Sequence, residues 1–186
     1  MTDLDILSEM IKGSASLPLV DSYGRKTVTL SEPQHPSSVV TIAGLPDDTI
    51  VIKADIFTPP TAVFNNTKGE CKRADFVVIA DSGNRKVVLC IEMKAGKGET
   101  EREIIQQLKG AHCFVVYCQE IGRAFWDAPD FLTGYHYRFI SIREISISKR
   151  PTRFDKKVDT HDRPDKMLKI SGQRHLQFDH LAGRER

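Results

Sequence analysis

The sequence predicts an α/β fold in one domain, and three observations carry that expectation. Residues 76–80 (FVVIA) and 87–91 (VVLCI) are continuous, apolar and bounded by turn residues, like strands buried on both faces of a sheet. Thr100 with Glu103 forms a T-x-x-E capping box that opens a helix over about residues 101–111. A further apolar run at 113–118 (CFVVYC) follows, and strand, helix, strand in that order implies a crossover with parallel pairing. The 186 residues suffice for one sizeable core.

Taken in order, residues 2–12 read as a helix. Thr2 and Asp5 have capping-box spacing, Leu4, Leu7, Met10 and Ile11 recur on one face, and Gly13 is a stop. Residues 14–37 carry Pro18, Gly24, Pro33 and Pro36 and read as loop, with a short strand at 26–30. Strands at 38–43 and 49–56 are separated by a turn at 44–48, and Pro59-Pro60 ends the second. Between the two central strands, Asp81-Ser82-Gly83-Asn84 is hairpin chemistry. With these four residues as the loop, Ala80 opposes Arg85 and Asp75 opposes Cys90. Glu92 is then a diagonal neighbour of Asp75 on the same face, at roughly 7–8 Å. Lys94, two residues on, shares that face, and a slip of one residue would send Asp75 to the other side. Gly96 and Gly98 break the strand. Ile104, Leu108 and Ala111 form the buried stripe of the following helix, and Gln107 borders it. Residues 135–148 alternate polar and apolar as a half-exposed strand or two does, and 167–170 with 175–178 around Ser171-Gly172 suit a late hairpin.

Composition narrows the function classes. With 40% hydrophobic and 28% charged residues the chain fits an ordinary soluble protein. Its N-terminus is acidic where a signal peptide is basic, and no run reaches the about 18 apolar residues of a membrane span, so a cytoplasmic location is expected. Cys71, Cys90, Cys113 and Cys118 make no CxxC pair and are expected as buried reduced thiols, not as a zinc site or disulfides. Residues 149–186 hold eleven Lys/Arg against six Asp/Glu, whereas 1–148 hold sixteen against nineteen. The expected division is therefore a core domain over 1–148 and a basic C-terminal extension over 149–186, partly disordered or a late hairpin. Such a segment suits a nucleic-acid partner or a solvated tail.

Asp75, Glu92 and Lys94 are the candidate chemistry. Two carboxylates converging on one spot repel unless a cation lies between them, and hard oxygen ligands suit Mg²⁺ or Mn²⁺. Such an ion polarises a phosphoryl oxygen and activates bound water, while a nearby lysine orients that water or stabilises developing charge. The reaction implied is metal-assisted hydrolysis of a phosphodiester. Lys72 and Arg73, just ahead of Asp75, suit a phosphate backbone or simple solvation.

Asp75, sixteen intervening residues and then Glu92-Met93-Lys94 at the end of an apolar strand resembles the PD-(D/E)xK nuclease superfamily. The resemblance covers roughly residues 1–118. It implies a restriction-endonuclease-like α-β-β-β-α-β core, a mixed central sheet flanked by helices. It further implies that Asp75, Glu92 and the backbone carbonyl of Met93 hold the metal, that Lys94 positions or activates the attacking water, that Gln107 assists from the helix, and that Glu9 on the first helix is a further metal-assisting candidate. The chain departs from the literal motif in having Ala74 ahead of the aspartate, and no tyrosine follows Gln107 or Gln106 by four residues. Two other acid-x-Lys triplets, at 70–72 and 155–157, lack the strand setting. The expected function is a metal-dependent nuclease acting on DNA rather than RNA, in phage defence or DNA repair, as a homodimer or with an accessory protein. The alternative is a catalytically silent nuclease-like scaffold that binds nucleic acid or regulates a larger complex.

Overall fold

A computed structural model of the chain describes residues 1–32, 35–95, 100–143 and 160–183. Gly96 and Gly98, and positions 144–148 of the expected late strand, lie outside them. Ten strands and three α-helices are described. In order these are α1 (Asp3–Met10), β1 (Ser16–Leu17), β2 (Val20–Ser22), β3 (Arg25–Glu32), β4 (His35–Leu45), β5 (Asp48–Lys53), β6 (Phe76–Asp81), β7 (Lys86–Lys94), α2 (Glu101–Phe125), β8 (His136–Arg143), β9 (Leu168–Ser171), β10 (His175–Gln177) and α3 (Phe178–Ala182). The α/β class is as expected.

The strands form two sheets, a six-stranded one in the order β1-β5-β6-β7-β8-β9 and a four-stranded one in the order β10-β4-β3-β2. In the larger sheet β6 is antiparallel to both of its neighbours, β5 and β7, and β8 and β9 continue parallel to β7. One face of it carries Val77, Ile79, Val88 and Cys90 against Leu4 and Leu7 of α1 and Ile104, Leu108 and Val115 of α2. The other carries Val78, Ala80, Leu89, Ile91 and Met93 against Val28, Leu30, Val40 and Ile42 of the second sheet and Phe178 and Leu181 of α3. Burial on both faces is why the central strands are apolar without alternation.

Four expectations need correction. The larger sheet is not flanked by helices alone. The second face is covered by the smaller sheet, whose strands alternate buried Val28, Leu30, Val40 and Ile42 with Thr29 and Thr41 turned away, together with the five-residue α3. Residues 113–118 are not a strand, because α2 runs unbroken for 25 residues. Read with a helical period, Ala111, Val115, Cys118 and Gly122 are buried, while Cys113, Val116 and Tyr117 are exposed. The parallel crossover does exist, but its second strand is β8. The late hairpin is absent, since β9 pairs with β8 in one sheet and β10 with β4 in the other. Residues 168–182 are thereby built into the core instead of extending from it. Finally, the β6–β7 register differs by two residues. Ala80 opposes Val87, and Asp81 opposes Lys86. The strands end at Asp81 and Lys86, and beyond them a bond of 3.0 Å from Ser82 N–H to the Arg85 carbonyl closes a two-residue turn at Gly83-Asn84. Gly83 supplies the positive φ of 80° that the first position of such a tight turn requires. An even shift preserves faces.

Both capping boxes are formed, by Thr2 with Asp5 and by Thr100 with Glu103. At mid-α2, Gly110 lets the helix touch the backbone ahead of Asp75: a Cβ there would lie 1.7 Å from the Lys72 carbonyl oxygen and 3.2 Å from Arg73 Cα. The end of α3 is held by side chains from the larger sheet and the segment before β9. Arg85 donates to the Ala182 and Gly183 carbonyls, Arg138 donates to Ala182 at 2.8 Å, and His161 Nε2 donates to the Leu181 carbonyl at 2.6 Å. These donors satisfy carbonyls that the helix itself leaves open. Of the cysteines, Cys71, Cys90 and Cys118 are buried, Cys113 is exposed, and all four are free thiols. No helix among the described residues is long and apolar enough to cross a membrane.

Two outcomes follow from this packing. Gly110→Ala should lower stability by roughly 1–3 kcal/mol through overpacking against backbone, whereas Gly13→Ala, with nothing within 4 Å of the added carbon, should be near neutral in the same denaturant titration. Burial holds the imidazoles of His161, His112 and His180 below their ordinary value. The unfolded chain therefore binds more protons once pH falls under about 6.5, so stability is full above that pH and declines below it. Denaturation followed from about pH 8 to 5 should show this decline, and His161→Gln should shallow it; a flat profile would contradict the linkage.

Candidate functional site

The candidate residues gather at the end of β7, on the face covered by α2. The last rung of the β6–β7 ladder, Phe76 opposite Ile91, brings the preceding residue, Asp75, level with Glu92. Asp75 is thus a direct and not a diagonal neighbour. It is 8% exposed and fixed from two sides. Its carbonyl accepts from Ala54 N–H at 2.8 Å, just beyond β5. Its Oδ2 accepts from Met93 N–H, also at 2.8 Å. Where the backbone ladder stops, the carboxylate takes over as acceptor for β7.

Glu92 is 0% exposed, and Lys94 Nζ lies 3.0 Å from its Oε1. A carboxylate wholly removed from water is costly unless paired, and this ion pair supplies the compensating charge. Parallel pairing with β8 puts Ser141 beside Glu92 and Arg143 beside Lys94, and β9 places Lys169 beside Ser141. Ser141 is 1% exposed, and its Oγ has no hydrogen-bond partner among the described residues.

The first turns of α2 span this group. Lys169 Nζ meets Glu101 at 2.7 Å on the β9 side, and Lys72 Nζ meets Glu103 at 3.6 Å on the Asp75 side. Lys169, with Arg143 nearby, holds the Glu101 carboxyl below its ordinary value; the Glu103 carboxyl is lowered chiefly by its own cap bonds to Thr100 and less by Lys72. Gln107 sits one to two turns into the helix beside buried Ile104 and Leu108, and its Oε1 is buried with no partner among the described residues. Arg73 Nε is likewise buried and unpartnered among them. Lys72 is engaged with α2, so its expected phosphate contact would have to compete with Glu103.

Glu9 is a correction. Its Oε2 accepts from Trp126 Nε1 at 2.9 Å. Trp126 caps the C-terminus of α2, nineteen residues beyond Gln107 and so about 28 Å along the helix. Glu9 therefore lies beside the far end of α2, away from its first turns.

The structure thus brings together Asp75, Glu92 and Lys94, adds Ser141, places Gln107 on α2 with its Oε1 buried, and leaves Glu9 out. Ser141 was missed because β8 reads as half-exposed, which makes its serine look solvent-facing. The strand is in fact enclosed between β7 and β9 and buried from Arg138 to Ile142. Among the described residues no group of three or more His, Cys, Asp or Glu could hold a metal ion. Two carboxylates with a backbone carbonyl and water form a smaller, all-oxygen set of the kind Mg²⁺ or Mn²⁺ accepts. The carboxylates of Asp75 and Glu92, level with each other at the end of β7, fit that donor chemistry. Comparison of the chain with models of protein families, with curated proteins and with solved structures found no match.

Asp75 carries a measurable structural load. Asp75→Ala removes the acceptor of a buried N–H and should cost about 1–3 kcal/mol, while Asp75→Asn, which keeps an oxygen there, should cost less. Chemical denaturation of both variants checks this, and equal losses would show that the Met93 bond is not what Asp75 contributes.

Proposed function

We propose that this protein is a divalent-cation-dependent nuclease of restriction-endonuclease-like architecture, hydrolysing phosphodiester bonds in DNA in preference to RNA. The observation that carries the reading is the placement of Asp75, Glu92 and Lys94 on one sheet face at the end of β7. The order α1, β5, β6, β7, α2, β8, with β8 parallel to β7, supports it, being the α-β-β-β-α-β order that the motif resemblance implies.

In this reading Asp75, Glu92 and the Met93 carbonyl hold Mg²⁺ or Mn²⁺. The bound ion supplies a polarised phosphoryl oxygen and a more acidic water. Lys94 exchanges its contact with Glu92 for the attacking water or the developing phosphorane charge, which a positioned ammonium stabilises. Gln107 offers a buried side-chain oxygen that accepts from water. Arg73, Lys72 and the basic residues of 149–186 contact the phosphate backbone. One such centre per chain implies a homodimer, or an accessory protein, for cutting both strands. A cytoplasmic role in phage defence or DNA repair fits that chemistry.

One observation favours a second reading, a silent scaffold that binds nucleic acid or regulates a larger complex. Asp75 and Glu92 already have protein partners in Met93 N–H and Lys94, so the fold accommodates both carboxylates without an ion.

Incubating the purified chain with single-stranded DNA, duplex DNA and RNA separates the two. The nuclease should cleave in millimolar Mg²⁺ or Mn²⁺ and stop in EDTA, and Lys94→Ala and Glu92→Gln should each slow it by about 10²–10⁴-fold. Metal-independent binding without cleavage, unchanged in both variants, would leave the scaffold reading standing alone.

A further inference from the structure

Ser141 is the polar residue at this centre to which neither the motif nor the ligand chemistry assigns a task. It lies in register with Glu92 on the neighbouring parallel strand, on the same face, where strands are about 4.8 Å apart. It is 1% exposed, and its hydroxyl has no hydrogen-bond partner among the described residues. A buried hydroxyl without a partner is disfavoured relative to an apolar group of similar shape. Its same-face neighbour two residues earlier is buried Phe139, so packing alone asks for a small apolar residue here. The donor is therefore explained by a state in which it is used. That state is the one in which Glu92 holds a cation, since a ligating carboxylate needs a further hydrogen bond to fix its aim.

From this juxtaposition we infer that Ser141 is a positioning residue: its hydroxyl donates to the Glu92 carboxylate when that carboxylate takes up the cation, and so keeps it aimed at the ion. The inference rests on the nuclease reading and deepens it. A charge-assisted O–H···O⁻ bond is among the stronger ones, and rotation about one serine torsion is all that forming it requires of the protein.

The test uses the full chain and Mn²⁺ as the probe, measured by titration calorimetry and by the loss of the free-ion paramagnetic resonance signal, without nucleic acid. Ser141→Ala and Ser141→Cys, which remove or weaken the donor, should each reduce Mn²⁺ affinity by about 10-fold or more, while Ser141→Thr, which keeps the hydroxyl, stays close to the native chain. Thermal unfolding without metal should show Ser141→Ala at least as stable as the native chain. Unchanged Mn²⁺ affinity in Ser141→Ala and Ser141→Cys, with Glu92→Gln abolishing binding, overturns the role of Ser141 and leaves the nuclease reading intact. A native chain that binds no Mn²⁺ overturns both. If Ser141→Ala does not fold, the Cys and Thr pair gives the same comparison at nearly native volume.

Discussion

The pairing of β6 with β7 is the constraint on which the rest of the structure depends. Both strands are buried on both faces, and that makes their register a problem. In a sheet with one wet face a slip of one residue exposes apolar side chains, so burial itself selects the register. Here either parity would bury a comparable apolar set, and burial discriminates weakly. The selection falls to the ends. At one end the Gly83-Asn84 turn and the Asp81–Lys86 ion pair at 3.4 Å admit one alignment. At the other, Asp75 accepts from Met93 N–H. A slip of one residue would break both clamps and drive Glu92 into the apolar layer between the two sheets.

Register in turn fixes what surrounds the charged end. α2 leaves β7, crosses the face that holds Asp75 and Glu92, and returns the chain to β8 alongside. Its position along the sheet is set by contacts of different kinds. Glu101 with Lys169 and Glu103 with Lys72 are partly exposed pairs of small individual worth. Gly110 against the Lys72 carbonyl is a steric stop and does not weaken with salt. The helix is thereby located relative to the backbone entering Asp75, and Gln107 comes with it. The N-terminal turns of α2 and the segment before β6 therefore form one unit.

Much of this was legible in the sequence, and the residues that were not share physical causes. Both capping boxes, the two central strands and the common face of Asp75, Glu92 and Lys94 could be read because each depends on local chemistry or on a period of two. The register was misjudged by two residues because Asp81 and Ser82 have turn composition, yet Asp81 continues the strand and Ser82 bonds across to Arg85. The 113–118 run was misjudged because a short apolar stretch satisfies both periods; only its solvent-facing Cys113, Val116 and Tyr117 betray the helix. The second sheet was not read: strands at 26–30 and 38–43 were expected, and the alternation in Val28-Thr29-Leu30 and Val40-Thr41-Ile42 does not say which layer they form. Glu9 shows the same limit: a helical face can be read from spacing, whereas the end of the sheet over which the helix lies is a tertiary fact.

Charge balance decides what the site can attract. Counted as ionised, Asp75, Glu92 and Glu101 offset Lys94, Arg143 and Lys169, all on or bordering the same patch of sheet. Such a centre has little net pull on a phosphodiester. A divalent cation would raise it by two charges in a setting where Glu92 is fully buried and screening is poor. Affinity for a phosphate at this end of β7 would then depend on the ion, not on the lysines alone. A silent scaffold would need another surface for nucleic acid, since this one is balanced internally. A carboxylate offers about four acceptor sites, so the bond from Met93 N–H to Asp75 is compatible in principle with an ion on the same group. The structural clamp and the proposed ligand set can therefore share Asp75, which makes the end of β7 both the point that fixes the register and the point at which charge would be added.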